Sequence, residues 1–257
     1  MCIYQELLSK AYEIQISVYG DDDINCASTL TLIANAYTNM KKYEEALEFI
    51  GKVFALSDEH FGYKSESTAF AFIETAKINS LKGEEDHAIE AQKQAISILM
   101  DINFEKPEYI AEQYLTLSNY LEKTMNYEEM VDTLKKVSDI YQEVFGPKDK
   151  KVIKVKRQVS VVLLKLEKHQ EALEELLETE DIEMQYYGEN SIQTARTQKI
   201  IGTVFIMLQD HQEAQKYLMK AMKVFEDNGV KKTVNEIKEK LQVVKAIREK
   251  FRSELTE

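Results

Sequence analysis

Tryptophan is absent from this chain of 257 residues, proline and cysteine occur twice each, and glycine occurs eight times. So few backbone breakers exclude an all-β sandwich, a glycine-turned Rossmann sheet and a disordered linker protein. Cys2 and Cys26 cannot form a disulfide framework for a chain this size, so reduced thiols in a cytosolic-type compartment are expected. Positive charge is in deficit. Against 45 Asp+Glu stand 33 Lys+Arg, a net of −12. Phosphate binding needs clustered positive charge, so nucleic acid is not an expected partner. Long apolar runs are missing too. The longest, near Val159 to Leu166, is broken by Ser160 and Lys165 and falls far short of the roughly 20 residues of a membrane span. Met1 to Ser9 has no basic region followed by an apolar run, so no signal peptide is expected. Among catalytic signatures, G-x-x-x-x-G-K-S/T, H-E-x-x-H, C-x-x-C and G-x-S-x-G do not occur. Neither an enzyme nor a cofactor is expected.

What the chain has is helix formers and a period. Gly20, Gly62, Gly146 and Gly188 stand on a ladder of 42 residues, with Phe104 at the missing rung and Gly229 one residue off the next. Ala46, Ala88, Met130, Ala172 and Ala214 form a second column. Two further columns are small or apolar: Ala34, Ala76, Ser118, Ser160, Gly202, and Ala27, Ala69, Ala111, Ile153, Ala195.

Each unit reads as two helices. Leu30, Ile33, Ala34, Tyr37 and Met40 follow the spacing of one apolar helix face. Lys41-Lys42-Tyr43 is a polar turn, and Ala46, Leu47, Phe49, Ile50, Val53 and Phe54 give a second stripe. Helices approach to about 8–9 Å only where side chains are short. Ala34 and Ala46 are therefore expected where the two helices of a pair cross. Ala11, Val53, Ala95, Val137, Thr179 and Ala221 are expected where the second helix meets the next repeat. Asp21, Asp22 and Asp23 suit a helix N-terminus. A calcium loop is the other reading of that run, but no Glu stands at its last ligand position.

The pattern Leu30-x-x-Ile33-Ala34-x-x-Tyr37, then Tyr43-Glu44-Glu45-Ala46, then Val53, resembles the tetratricopeptide repeat, usually about 34 residues long. The 42-residue variant resembles the repeats of kinesin light chains and of ciliary tetratricopeptide proteins, and Gly146-Pro147-Lys148-Asp149 fits its inter-repeat loop. The His-Pro common in kinesin light chain loops is absent, and Lys156 and Gln198 stand where the column is usually bulky and apolar. HEAT repeats are the structural alternative. The turn signature, echoed at Tyr127-Glu128-Glu129 and Gln170-Glu171-Ala172, favours the first family. The resemblance implies an all-α fold: a right-handed superhelical solenoid of antiparallel helix pairs with a C-terminal capping helix. The expected boundaries are a half repeat over 1–20, repeats over 21–62, 63–104, 105–146, 147–188 and 189–229, and a cap over 230–257.

Residues 3–18 then form a second helix without its first. Ile3, Leu7, Leu8 and Tyr12 become a candidate apolar interface with another subunit, or the chain is a fragment of a longer solenoid. In the cap, Val234, Ile237, Leu241, Val244, Ile247 and Phe251 form one stripe. A basic amphipathic membrane helix is the other reading of that segment.

The functional hint lies in charge. Residues 147–170 hold eight Lys/Arg against two carboxylates, a net of +6, and residues 171–190 hold eight Asp/Glu and no basic residue. Lys154 and Arg157 match Arg196 and Lys199 one repeat on, with Lys165 further along the same helix. Asn35, Lys77 and Asn119 share another column, whose amides can hold an extended backbone. In the family, first helices line the concave side. These eight residues are the candidate groove for an acidic partner segment, since Arg grips a carboxylate with two hydrogen bonds. The competing reading is a charged face paired with its own glutamates. His169 and His211 share the Tyr43 column and read as turn-packing residues. The remaining carboxylates read as solvated helix faces. The resemblance implies a non-enzymatic scaffold in the cytoplasm, in a cytoskeletal, ciliary or axonemal assembly. Alternatives are a motor cargo adaptor of the kinesin light chain type and a peptide-sensing regulator.

Overall fold

The computed structural model describes residues 3–254, with the side chains at 3–6, 8, 248 and 250–254 outside the description. Among the described residues there are helices and turns and no strand. The chain divides into two compact units, Met1–Asn126 and Tyr127–Glu257.

The first unit holds α1 (Ile3–Tyr19), a 3-10 turn (Ile24–Cys26), α2 (Ala27–Asn39), α3 (Tyr43–Phe61), α4 (Glu66–Lys82), α5 (Glu85–Asp101) and α6 (Pro107–Lys123). The second holds α7 (Tyr127–Phe145), α8 (Lys150–Lys165), α9 (His169–Tyr187), α10 (Ile192–Met207), α11 (His211–Asp227) and α12 (Lys231–Glu254). Within each unit a helix packs chiefly on its neighbours in the chain, giving successive antiparallel pairs.

Two kinds of turn set this geometry. At the turn inside a pair, Lys41, Gly83, Met125, Glu167 and Gln209, spaced by 42, all have positive φ, between 55° and 90°. The next residue's N–H closes back onto the carbonyl five residues earlier, as from Lys42 to Tyr37 at 2.9 Å and from Asp210 to Phe205 at 2.9 Å. That closure satisfies helix-end carbonyls, which is why four residues that are not glycine accept a left-handed backbone.

Between pairs, α3 and α9 end in Gly62 and Gly188, whose backbone (φ 82°, ψ 163° and φ 91°, ψ 155°) only glycine adopts readily. α5 and α11 are 17 residues long where α3, α7 and α9 are 19. Their positive-φ residues, Asn103 and Gly229, therefore fall one position before the rung. This accounts for Phe104 on the glycine ladder. A cap column also recurs. Asp23 accepts from Asn25 N, Ser65 from Thr68 N, Asp149 from Lys151 N and Ser191 from Thr194 N, and Pro107 opens α6 in the same column.

The small columns are the pair crossings. Ala46, Ala88, Ala172 and Ala214 are wholly buried, as are Ala76, Ser160, Ala69, Ala111 and Ala195. At Gly202 a Cβ would stand 2.8 Å from Leu218 Cγ, so α10 and α11 meet there with no room for a side chain. Val53, Ala95, Val137, Thr179 and Ala221 are buried, but Ala11 is exposed. Among the described residues its helix packs chiefly onto α2 and the 3-10 turn, and Leu7, Ile14 and Val18 stay exposed. At the other end, Val234 and Ile237 join Leu218, Ala221 and Phe225 in one cluster, and Val244 is buried too. The side chain of Phe251 lies outside the described residues.

Candidate partner-binding site

The first helices of the pairs carry the candidate side chains. In the first unit, Asn35 on α2 and Lys77 on α4 lie side by side, Lys77 Nζ donating to Asn35 Oδ1 at 3.4 Å. Lys77 also pairs with Glu74 at 3.0 Å. Asn119 on α6 is exposed.

In the second unit the five cations divide. Lys154 and Arg196 are exposed and make no ion pair among the described residues. Lys199 reaches Glu236 of α12 at 3.2 Å. Lys165 Nζ lies 4.8 Å above the ring of Tyr127. Arg157 turns toward α9, where its Nε and Nη2 both hold Glu183 Oε1, at 2.6 and 2.5 Å.

Not every carboxylate lies on a solvated face. Glu180 and Glu183 of α9 are buried, a correction to the charge reading of that helix. Glu183 shares its 42-residue column with Ser57, Leu99, Tyr141 and Phe225, all buried. A carboxylate in a column that holds Leu99, Tyr141 and Phe225 in other repeats was the signal in the sequence. Burial pushes the Glu183 carboxyl above the usual carboxylate range despite Arg157 and the nearby Thr197 hydroxyl. Glu180 accepts from Gln198 Nε2 at 2.8 Å and lies 3.6 Å from Lys220. Together with burial, which is the larger cause, Glu180 holds the Tyr217 phenol up at about 12.

Lys156 and Gln198, the two departures from the repeat pattern, are both buried. Each donates to carboxylates of α9, although the Gln198 Oε1 has no hydrogen-bond partner. Lys156 donates to Glu175 at 3.2 Å and Glu178 at 2.7 Å, and Gln198 binds Glu180. Burial alone would lower the Lys156 pKa, but Glu178 and Glu175 outweigh it and raise it. Part of the positive charge of α8 is therefore spent inside the fold.

At the N-terminal helix, Leu7 is 60% exposed, and Ile14 and Val18 are exposed beside it. Tyr12 instead packs against the cluster of Cys26, Leu30, Ala34 and Ala46. The side chains of Ile3 and Leu8 lie outside the described residues. Among the described residues no group of His, Cys, Asp and Glu is placed to hold a metal ion, and no helix is long and apolar enough to cross a membrane.

Stacked helix pairs with buried alanine crossings and exposed first-helix faces define a helical-repeat interaction protein. A family model described as the tetratricopeptide repeat matches residues 26–101 and 151–227. The chain belongs to the tetratricopeptide repeat family, whose members serve as protein-interaction scaffolds. No curated protein matches it. Among solved structures, it is similar to the nearly identical TPR-like repeats assigned to a kinesin light chain of Podosopora anserina. That match has 17% identity and TM-score 0.57, covering 78% of this chain and 95% of that one. It is also similar to YrrB, described as a TPR protein with an unusual peptide-binding site, at 15% identity and TM-score 0.53, covering 89% and 98%. The apo form of RapI aligns at 15% identity and TM-score 0.51, covering 94% and 91%. At these identities the likeness is one of fold.

Proposed function

We propose that this protein is a non-enzymatic scaffold that holds an acidic segment of a partner protein on the first-helix face of α8 and α10. The observation that supports this is the pair Lys154 and Arg196. They are exposed cations in one repeat column, without ion pairs among the described residues, in a chain whose net charge is −12. Arg157 and Lys199 stand one turn further on; a carboxylate-rich segment would draw on Lys199 by exchange with Glu236 and on the part-exposed guanidinium of Arg157 while it still holds Glu183. Asn35, Lys77 and Asn119 offer amide and ammonium groups to an extended backbone on the other unit. The open stripe of α1 is the proposed contact for a further subunit.

The resemblance of the 42-residue repeat to those of kinesin light chains and ciliary tetratricopeptide proteins supports a cytoskeletal setting, in a ciliary or axonemal assembly, with motor cargo adaptation as the second form of the same scaffold. The defined test is fluorescence anisotropy with a labelled twelve-residue peptide rich in Glu and Asp. Binding should weaken as salt rises. Lys154→Glu with Arg196→Glu should weaken it by about tenfold or more, while Lys135→Glu on α7 should not. Unchanged affinity in the double variant would overturn the reading. Proximity labelling then separates the settings, with axonemal proteins supporting the first and motor heavy chains the second.

A further inference from the structure

The first unit contains a cavity of about 460 Å³ that the acidic-segment reading does not use. It opens between α2 and α4, because the residues facing each other there are short: Ala27, Ser28 and Thr31 against Ser67 and Ala71. Both helices pack on α3, which therefore forms the floor with Ile50, Val53 and Ser57. Phe70 and Tyr109 wall one side, their rings edge to face at 5.9 Å.

Two features define what would fit. Ser57 is wholly buried in the floor, and its hydroxyl has no hydrogen-bond partner. A cavity floored by Ile50 and Val53 and walled by Phe70 and Tyr109, with an unpartnered hydroxyl in its floor, suits a side chain with an apolar body and a polar tip. The rim is acidic. Glu74 lines the cavity, and Glu112, Glu74 and Glu66 all lie close enough to Tyr109 to add to the effect of burial on its phenol. Glu74 is shared with Lys77, but no ion pair engages Glu66 or Glu112 among the described residues. This is the opposite charge to the face of α8 and α10, so the segment sought here has the opposite composition.

We infer that the cavity between α2 and α4 is a docking site for a tyrosine of a partner segment, with Lys or Arg on either side of it. The ring lies against Phe70 and Tyr109, the phenol reaches the Ser57 hydroxyl, and the flanking cations meet Glu66, Glu74 and Glu112. The inference does not draw on Lys154 or Arg196, and it is tested with a basic probe instead of an acidic one, so the two readings fail separately.

The test uses the full chain and a labelled, acetylated Gly/Ser dodecapeptide with a central Lys-Tyr-Lys. Saturable binding is expected. Replacing the tyrosine by phenylalanine should weaken it about fivefold, the worth of one hydrogen bond. Replacing it by alanine, or the lysines by glutamate, should weaken it by about tenfold or more. Ser28 is exposed at the mouth, so Ser28→Phe blocks entry without touching the core and should abolish binding with an unchanged circular dichroism spectrum. Glu66→Lys with Glu112→Lys tests the rim separately. Equal affinity of the wild type and Ser28→Phe, or of the Lys-flanked and Glu-flanked peptides, overturns the proposal. So does sedimentation showing that a second copy of this chain occupies the cavity, with self-association lost in Ser28→Phe.

Discussion

Arg157 of α8 places two guanidinium nitrogens on a single oxygen of Glu183 in α9, while the other carboxylate oxygen has no hydrogen-bond partner. Glu183 is 0% exposed, and the Arg157 side chain is 30% exposed. The cation is partly in water and the anion is not. The desolvation cost therefore falls on the carboxylate, and one guanidinium does not fully offset it.

That imbalance sets a pH dependence. The folded-state pKa of Glu183 is raised above its ordinary value of 4.5. Below 4.5 the group is neutral in both states, and its contribution to folding is fully present. As pH rises through the folded pKa that contribution is lost, because the buried group must ionise. Glu183→Gln keeps the acceptor for Arg157 and removes the charge. It should raise the urea midpoint at pH 7 and leave it unchanged at pH 4. Arg157→Ala strands the carboxylate and should cost about 3 kcal/mol at pH 7, the lower end for a buried pair since Arg157 itself is part-exposed. A larger loss for Arg157→Ala at pH 4 than at pH 7 contradicts the assignment.

Lys156 makes the converse case. Its column holds Leu30, Phe72 and Tyr114 in the preceding repeats. Its two partners, Glu175 and Glu178, keep 21% and 66% side-chain exposure, so both can be rehydrated if the ammonium is removed. Lys156→Leu should therefore be neutral or stabilising by about 1 kcal/mol, whereas Lys156→Ala, which leaves a void, should destabilise. Equilibrium unfolding of the two variants side by side decides it. A loss of more than about 2 kcal/mol in Lys156→Leu would show that the ion pairs hold α8 to α9.

Gly202 is small because Leu218 leaves no space, not because its backbone is unusual: a Cβ there would come within 2.8 Å of Leu218 Cγ. Gly202→Leu should cost about 1–3 kcal/mol through overpacking. Adding Leu218→Ala should restore part of that loss, because the two sites touch and their effects do not add. Additive destabilisation in the double variant would argue for a different cause.

The fold was legible because the repeat writes the same contact several times. Ala46, Ala88, Ala172 and Ala214 had to be small at one crossing geometry, and a period of 42 residues made that visible without coordinates. The candidate site was less legible. Arg157 and Lys199 stand one repeat apart and read as equivalent in sequence, yet Lys199 reaches Glu236 of α12 while Arg157 is drawn inward by Glu183. The cavity above Ser57 left no mark in the repeat columns. Its walls come from α2, α3, α4 and α6, and several short side chains must face one another to leave it open.

From the sequence alone came the helix pairs, their period, the small crossings and the sign of charge on each helix. These follow from local propensity and spacing, which act along the chain. Which cations are spent on internal carboxylates, which glutamates lose their water and where the first-helix face opens were decided only by tertiary packing. Desolvation and ion pairing depend on what a neighbouring helix brings within a few ångströms, and spacing along one chain does not encode that distance.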